Sequence, residues 1–182
     1  MKFKILLLLV IVFNSCSKKT EFISVFNCEV ETFSNLERIE DVKNLFSVYY
    51  PDHWKTNFYY DTNQSSIFTA DTTKQLKETT LLDITHISNK IVFDSIFLKK
   101  FKSNLSEQYL TEISASKIIF KEKPSFYSEA RGVNNNFNYY VFNLFIKLDE
   151  NNYIHSKIEI YGDALKEERI CKGINLLEKT IF

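Results

Sequence analysis

The stretch from Asn136 to Leu148, NFNYYVFNLFIKL, carries apolar side chains at both parities. Tyr140, Phe142, Leu144, Ile146 and Leu148 share one parity, and Phe137, Tyr139, Val141 and Phe145 share the other. Successive side chains of a strand point to opposite faces of its sheet. This segment is therefore a central strand that needs cover above and below. A sheet with one wet face cannot hold it, so the rest of the chain must supply two layers.

Two stretches have the periodicity to do so. Asp94 to Leu110 repeats Phe97, Phe101, Leu105 and Tyr109 every four residues, with Asp94 placed to cap the N-terminus, which predicts an amphipathic helix. After Asp163, read as a second cap, Leu165 stands near a helix start, and Ile170, Ile174, Leu177 and Ile181 form its buried stripe. Gly173 in that stripe permits close approach to a sheet. Strand patterns fill most of the remainder: FSVYY up to Pro51, WKTNFYYD, SSIFTADT and TTLLDITHIS before the first helix, then Glu112–Glu122, Ser125–Gly132 and Asn152–Tyr161. Asn134 to Asn136 reads as a hairpin tip. Ahead of these, Glu21 to Phe33 reads as an extended segment placing Phe22, Phe26, Cys28 and Val30 on one side. Ser34 and Glu37 have capping-box spacing, and Leu36, Ile39, Val42 and Leu45 predict a short helix. The order of elements, with short connections, predicts an α+β domain: an antiparallel sheet flanked by helices.

Chemistry is harder to find. The three histidines, His53, His86 and His155, form no HxxxH or CxxC-type metal spacing, and no GxSxG nucleophile motif occurs. Asp83 and His86, three apart on a strand, face opposite ways and cannot act together. Three glycines leave no phosphate-cradling loop. With 23 Lys and Arg against 23 Asp and Glu there is no field to attract nucleic acid. We therefore expect no enzyme, cofactor or metal site. The polar face of Asn152–Gly162, with Tyr153, His155, Lys157, Glu159 and Tyr161 opposite Ile154, Ile158 and Ile160, suits a docking partner and equally suits an ordinary solvated sheet. Aromatics such as Tyr59, Tyr60, Tyr139 and Tyr140 raise the alternative of a pocket for a lipid or other apolar molecule.

The amino-terminal end speaks of location. Lys2 and Lys4 precede the apolar run Ile5–Phe13, which is shorter than the roughly 20 residues a bilayer span needs, so it reads as a signal-peptide core. Ser15 then precedes Cys16, with Phe13 three positions before the cysteine. This resembles the lipobox of bacterial lipoproteins, in which the signal is cut before a cysteine that carries diacylglycerol. The resemblance implies a lipid anchor on Cys16, and Ser17 in the following position implies sorting to the outer membrane, facing the periplasm. Residues 1–15 are then the signal peptide, and residues 16–45 the lipidated cysteine, tether and a segment packing on the domain. Cys28 and Cys171 remain. In an oxidising compartment they either pair or stay as buried thiols.

At Phe46 to Lys55, FSVYYPDHWK, the chain resembles the PsbP-like family, whose domains begin with such a strand, Pro and Trp. The resemblance extends over residues 46–182 through the order of elements. It implies an α/β/α sandwich used more for docking than for catalysis, here on an unidentified envelope protein. Independently of the family, Pro51 ends a strand and Trp54 can lay its ring over the end of the sandwich.

Overall fold

The computed structural model describes residues 20–182. Cys16 and the signal segment 1–15 lie outside the described residues. Strands β1 (Leu36–Glu40) and β2 (Ser47–Pro51) form a hairpin, and β3 (Lys55–Tyr60), β4 (Gln64–Ala70), β5 (Leu81–Ile87), β6 (Thr111–Phe120), β7 (Lys123–Asn134), β8 (Phe137–Lys147) and β9 (Tyr153–Tyr161) form a seven-stranded sheet. Helices α1 (Glu21–Val25), α2 (Ser95–Glu107) and α3 (Lys166–Leu177) complete the chain. The strand order is β3-β4-β5-β9-β8-β7-β6, antiparallel throughout. Two meanders meet at the β5–β9 seam, and α2 carries the chain from one meander to the other.

The double parity of β8 is used as expected. One face meets a core of α1, the β1–β2 hairpin and α3, where Phe142, Leu144 and Ile146 join Phe22, Val48, Tyr50, Ile174 and Leu177. The other face, with Tyr139, Val141 and Phe145, packs with Phe126 under Phe101 and Leu105 of α2. Asp94 caps α2, its carboxylate accepting from the Phe97 N–H at 2.9 Å. Trp54 is 7% exposed, stacks on Tyr50 with ring centroids 6.3 Å apart, and lies under the Lys172 ammonium, so it covers the core.

Three local expectations are overturned. Leu36–Glu40 is a strand, not a helix, paired residue for residue with β2. Asn35 before it and Asn44 in the turn after it take positive φ, and the Asp41 carboxylate accepts from the N–H groups of Lys43, Leu45 and Phe46, closing a turn where a helix would have continued. Glu21–Val25 is a helical turn capped by Thr20, after which the chain extends. Helix α3 begins at a left-handed Leu165 with no side-chain cap. Asp163 instead accepts hydrogen bonds from Tyr140 Oη (2.7 Å) and Asn138 Nδ2 (2.6 Å). Leu165 is exposed, and Ile181 lies past the helix in a single bridge to Ser47, so the buried stripe runs through Gly173, Ile174, Leu176 and Leu177.

Sequence reading also missed Arg169. Its guanidinium is buried, with the residue 6% exposed, and it donates to the carbonyls of Lys77, Thr79, Tyr161 and Ala164. It thereby ties the β4–β5 connection and the end of β9 to the start of α3. Finally, Cys28 and Cys171 are joined in a disulfide, Cα to Cα 5.3 Å, linking the amino-terminal segment to α3.

Candidate functional site

The layer built on α2 is narrower than the sheet. Its apolar cluster draws on β6, β7, β8 and β9 and takes no residue from β3, β4 or β5. The same face of β4, β5 and β9 therefore presents a polar field. Cross-strand pairing sets its rows: Ser66, Thr85 and His155 stand abreast, followed by Phe68, Asp83, Lys157 and Asn143, then Ala70, Leu81, Glu159 and Val141.

These side chains are held in place by one another. Ser66 Oγ donates to Asp83 Oδ1 at 2.8 Å and lies 2.5 Å from Thr85 Oγ1, while Thr85 Oγ1 donates to the same carboxylate oxygen at 3.1 Å. Lys157 Nζ pairs with Glu159 Oε1 at 3.1 Å, and Tyr139 Oη donates to that oxygen too. The His155 ring stacks on Phe145, centroids 4.1 Å apart, with Nε2 3.0 Å from Asn143 Oδ1. Burial, reinforced by the Lys157 charge, pushes the His155 imidazole down to about 3, so it is neutral at physiological pH. A neutral ring whose Nε2 is engaged by an amide is a poor proton shuttle. The field is a rigid donor and acceptor array on strands.

Of the expected docking residues, Tyr153, His155, Lys157, Glu159 and Tyr161 do share one face of β9, and all are partly buried. Tyr153 and Tyr161 lean into the α2 cluster, and Tyr161 Oη accepts from Asn134 Nδ2 at 3.3 Å. Ser66, Asp83 and Thr85, which complete the field, were missed, because nothing local tells which strand lies beside β9. The alternation of Ser, Thr and Asp with Ile and Leu in SSIFTA and LLDITHI marks each strand as having one polar parity, and the β5–β9 pairing joins those parities. Tyr59 and Tyr60 lie exposed on the outer strand β3, with β4, β5 and β9 between them and Tyr139 and Tyr140 of β8. The four tyrosines therefore do not form one pocket. A separate cleft of about 400 Å³ opens between α2 and the 89–94 connection, lined by Ile91, Val92, Phe97, Phe101, Phe145 and Tyr153 among others.

One constellation has the composition of a hydrolase triad. Asp41, Ser65 and His86 lie together beneath the β1–β2 hairpin, and they are 2%, 0% and 5% exposed. Burial raises the Asp41 carboxyl, but hydrogen bonds from the N–H groups of Phe46, Lys43 and Leu45, with the Ser65 hydroxyl nearby, outweigh it and hold the group below its usual range. Burial also lowers the His86 imidazole, partly offset by Asp41 and Asp149. Nucleophilic catalysis needs the serine oxygen within reach of a substrate carbonyl. Ser65 has no exposed surface and Asp41 is engaged by the turn, so this group anchors the hairpin. Asp83 and His86 face opposite sides of β5, as their spacing predicts. Among the described residues no group of three or more His, Cys, Asp or Glu could hold a metal ion, and no helix is long and apolar enough to cross a membrane.

No family model and no curated protein matches the chain. Solved structures do. The fold is similar to the solution structure of cyanobacterial PsbP (CyanoP) from Synechocystis sp. PCC 6803, with TM-score 0.59 and 12% identity over 85% of this chain and 97% of that one. A crystal structure from Bacteroides thetaiotaomicron VPI-5482 is similar with TM-score 0.53 and 13% identity, over 81% of this chain and 48% of that one. LpqN, involved in cell envelope biogenesis of Mycobacterium tuberculosis, is similar with TM-score 0.50 and 9% identity, over 80% of this chain and 89% of that one. Helical layers on both faces of an antiparallel sheet, and overlap with nearly the whole cyanobacterial domain, give this chain the PsbP-like fold.

Proposed function

We propose that this protein is a lipid-anchored lipoprotein of the bacterial cell envelope, held through Cys16 in the outer membrane facing the periplasm. In this reading it is a non-catalytic accessory module that docks another envelope protein on the polar field of β4, β5 and β9. The observation that carries the docking reading is that field: among the described residues the α2 cluster does not extend over β4 and β5 on this face, and the Ser66–Asp83–Thr85 and Lys157–Glu159 groups are already fixed. Side chains ordered before binding lose less entropy on association. The anchor rests on the lipobox pattern at Cys16, and the LpqN similarity is compatible with an envelope setting without assigning a partner.

The test places a photoreactive residue at Thr85 and, as control, at Lys99 on the outer side of α2. Illumination of intact cells is expected to give one discrete adduct from Thr85 and none from Lys99. Equal patterns from both positions would remove the docking reading. In parallel, Cys16→Ala is expected to abolish labelling by fatty acid and retention in the membrane fraction; unchanged labelling would remove the anchor.

A second reading is favoured by the cleft beside α2. Its lining of Ile91, Phe97, Phe101 and Phe145, with Lys90 and Lys100 at the rim, suits an apolar tail with an acidic head. Native mass spectrometry of the purified protein is expected to show a bound small molecule if this reading holds.

A further inference from the structure

The anchor reading fixes which end of the domain meets the bilayer. Four peptide links join Cys16 to Thr20. Even fully extended they span about 14 Å. Thr20 is tied to the carboxyl end of α3, where its hydroxyl donates to Glu178. Immediately after it, Phe22 packs edge-on against Phe120 at the end of β6, centroids 4.6 Å apart. Whatever surface surrounds Thr20 is therefore within reach of the lipid headgroups.

That surface has the chemistry of an interfacial contact. A cleft of about 360 Å³ beside α1 is lined by Phe22, Val25, Ile118 and Ile119 together with Glu21 and Lys117. Val25 and Ile119 are 50% and 59% exposed and border this one cleft, so they form a continuous apolar surface there. Lys117 stands at this cleft, Lys121 bonds the Thr180 carbonyl over the Phe120 and Phe182 rings, and Lys179 lies over Phe33. With Lys18 and Lys19 of the tether, these cations outnumber the neighbouring Glu21, Glu122 and Glu178. Lysines on apolar rings can bury their stems while the ammonium reaches headgroups, and each basic residue near an anionic surface adds about 1 kcal/mol.

We propose that the end of the domain formed by α1, the β6–β7 corner and the carboxyl end of α3 rests on an anionic bilayer surface, with Val25 and Ile119 entering the headgroup boundary. This rests on the lipidation of Cys16. The opposite sheet edge, β3, is then held away: six strand spacings separate it from β6, or roughly 29 Å. The bilayer thus orients the domain and leaves the polar field of β4 and β5 open to a partner.

The test uses the full chain, processed in a diderm bacterium and reconstituted into vesicles of phosphatidylcholine with brominated phosphatidylglycerol. Ile119→Trp and Val25→Trp are compared with Tyr59→Trp on β3, reading emission in excess of that from Trp54. Insertion to about 5–10 Å is expected to cost the Ile119→Trp and Val25→Trp signals about half or more of their emission, and Tyr59→Trp none. Protein that floats with the vesicles yet shows no quenching at Ile119→Trp and Val25→Trp, or equal quenching at Tyr59→Trp, overturns the orientation while leaving the anchor intact. Protein that neither floats nor carries acyl mass overturns both.

Discussion

His155 shows how a side chain on a polar parity can be held against an aromatic neighbour and kept neutral. Its ring stacks on Phe145, and burial, reinforced by the Lys157 charge, holds it neutral with an imidazole pushed down to about 3, against an ordinary value of 6.5. In the unfolded chain the same ring takes up a proton as pH falls through its ordinary value, while the folded one does not. The unfolded state then binds more protons, so stability falls with falling pH between about 6.5 and 3, by at most about 1.4 kcal/mol per unit for this group. His86, also lowered by burial, acts in the same direction, and Asp41 adds its share below the ordinary carboxylate range. Urea midpoints are expected to drop from pH 7 to pH 4.5, with a shallower drop in His155→Gln. Parallel pH profiles for the two proteins would contradict this assignment.

Helix α3 lies close on the sheet because Gly173 lets it. A Cβ built there would stand 2.7 Å from Ile158 Cδ1 and 2.9 Å from Ile158 Cγ2, and Ile158 is 1% exposed with no room to turn away. Gly173→Ala gains about 1 kcal/mol of helix propensity but overpacks the core, which costs about 1–3 kcal/mol. The expected result is a lower melting temperature, part of which returns when Ile158→Val is added. A melting temperature raised by Gly173→Ala would show that the helix can shift. The periodicity around Gly173 made this contact legible. The Leu36–Glu40 segment shows the opposite case, where Leu36, Ile39, Val42 and Leu45 fit a helix and the left-handed Asn35 and Asn44 break it.

Across the molecule, the Cys28–Cys171 disulfide closes a loop of 143 residues. In the chain-entropy account a closure of that length stabilises by about 5 kcal/mol, and removing native disulfides costs about 2–5 kcal/mol in practice. The bridge ties the segment that leads to the proposed anchor onto α3 and so onto the sheet. Cys28→Ser with Cys171→Ser is expected to lower unfolding stability within that range, and reductant is expected to lower the midpoint of the parent protein and leave the double variant unchanged. A parent midpoint indifferent to reductant would mean that the bridge contributes nothing.

Strands β2 to β9, α2 and its cap, and the need for cover on both faces of β8 could be read from the amino acids, because parity, four-residue repeats and capping are local properties of the chain. The place of each strand in the sheet could not. Only folding sets β5 beside β9, brings Ser66, Asp83 and Thr85 next to Lys157 and Glu159, and buries Asp41, Ser65 and His86 together. Arg169 finds its four carbonyls, and Cys28 meets Cys171, for the same reason. Such partners are distant along the chain, and the gain of burying apolar surface without leaving backbone groups unpaired is realised only once all the layers are in place.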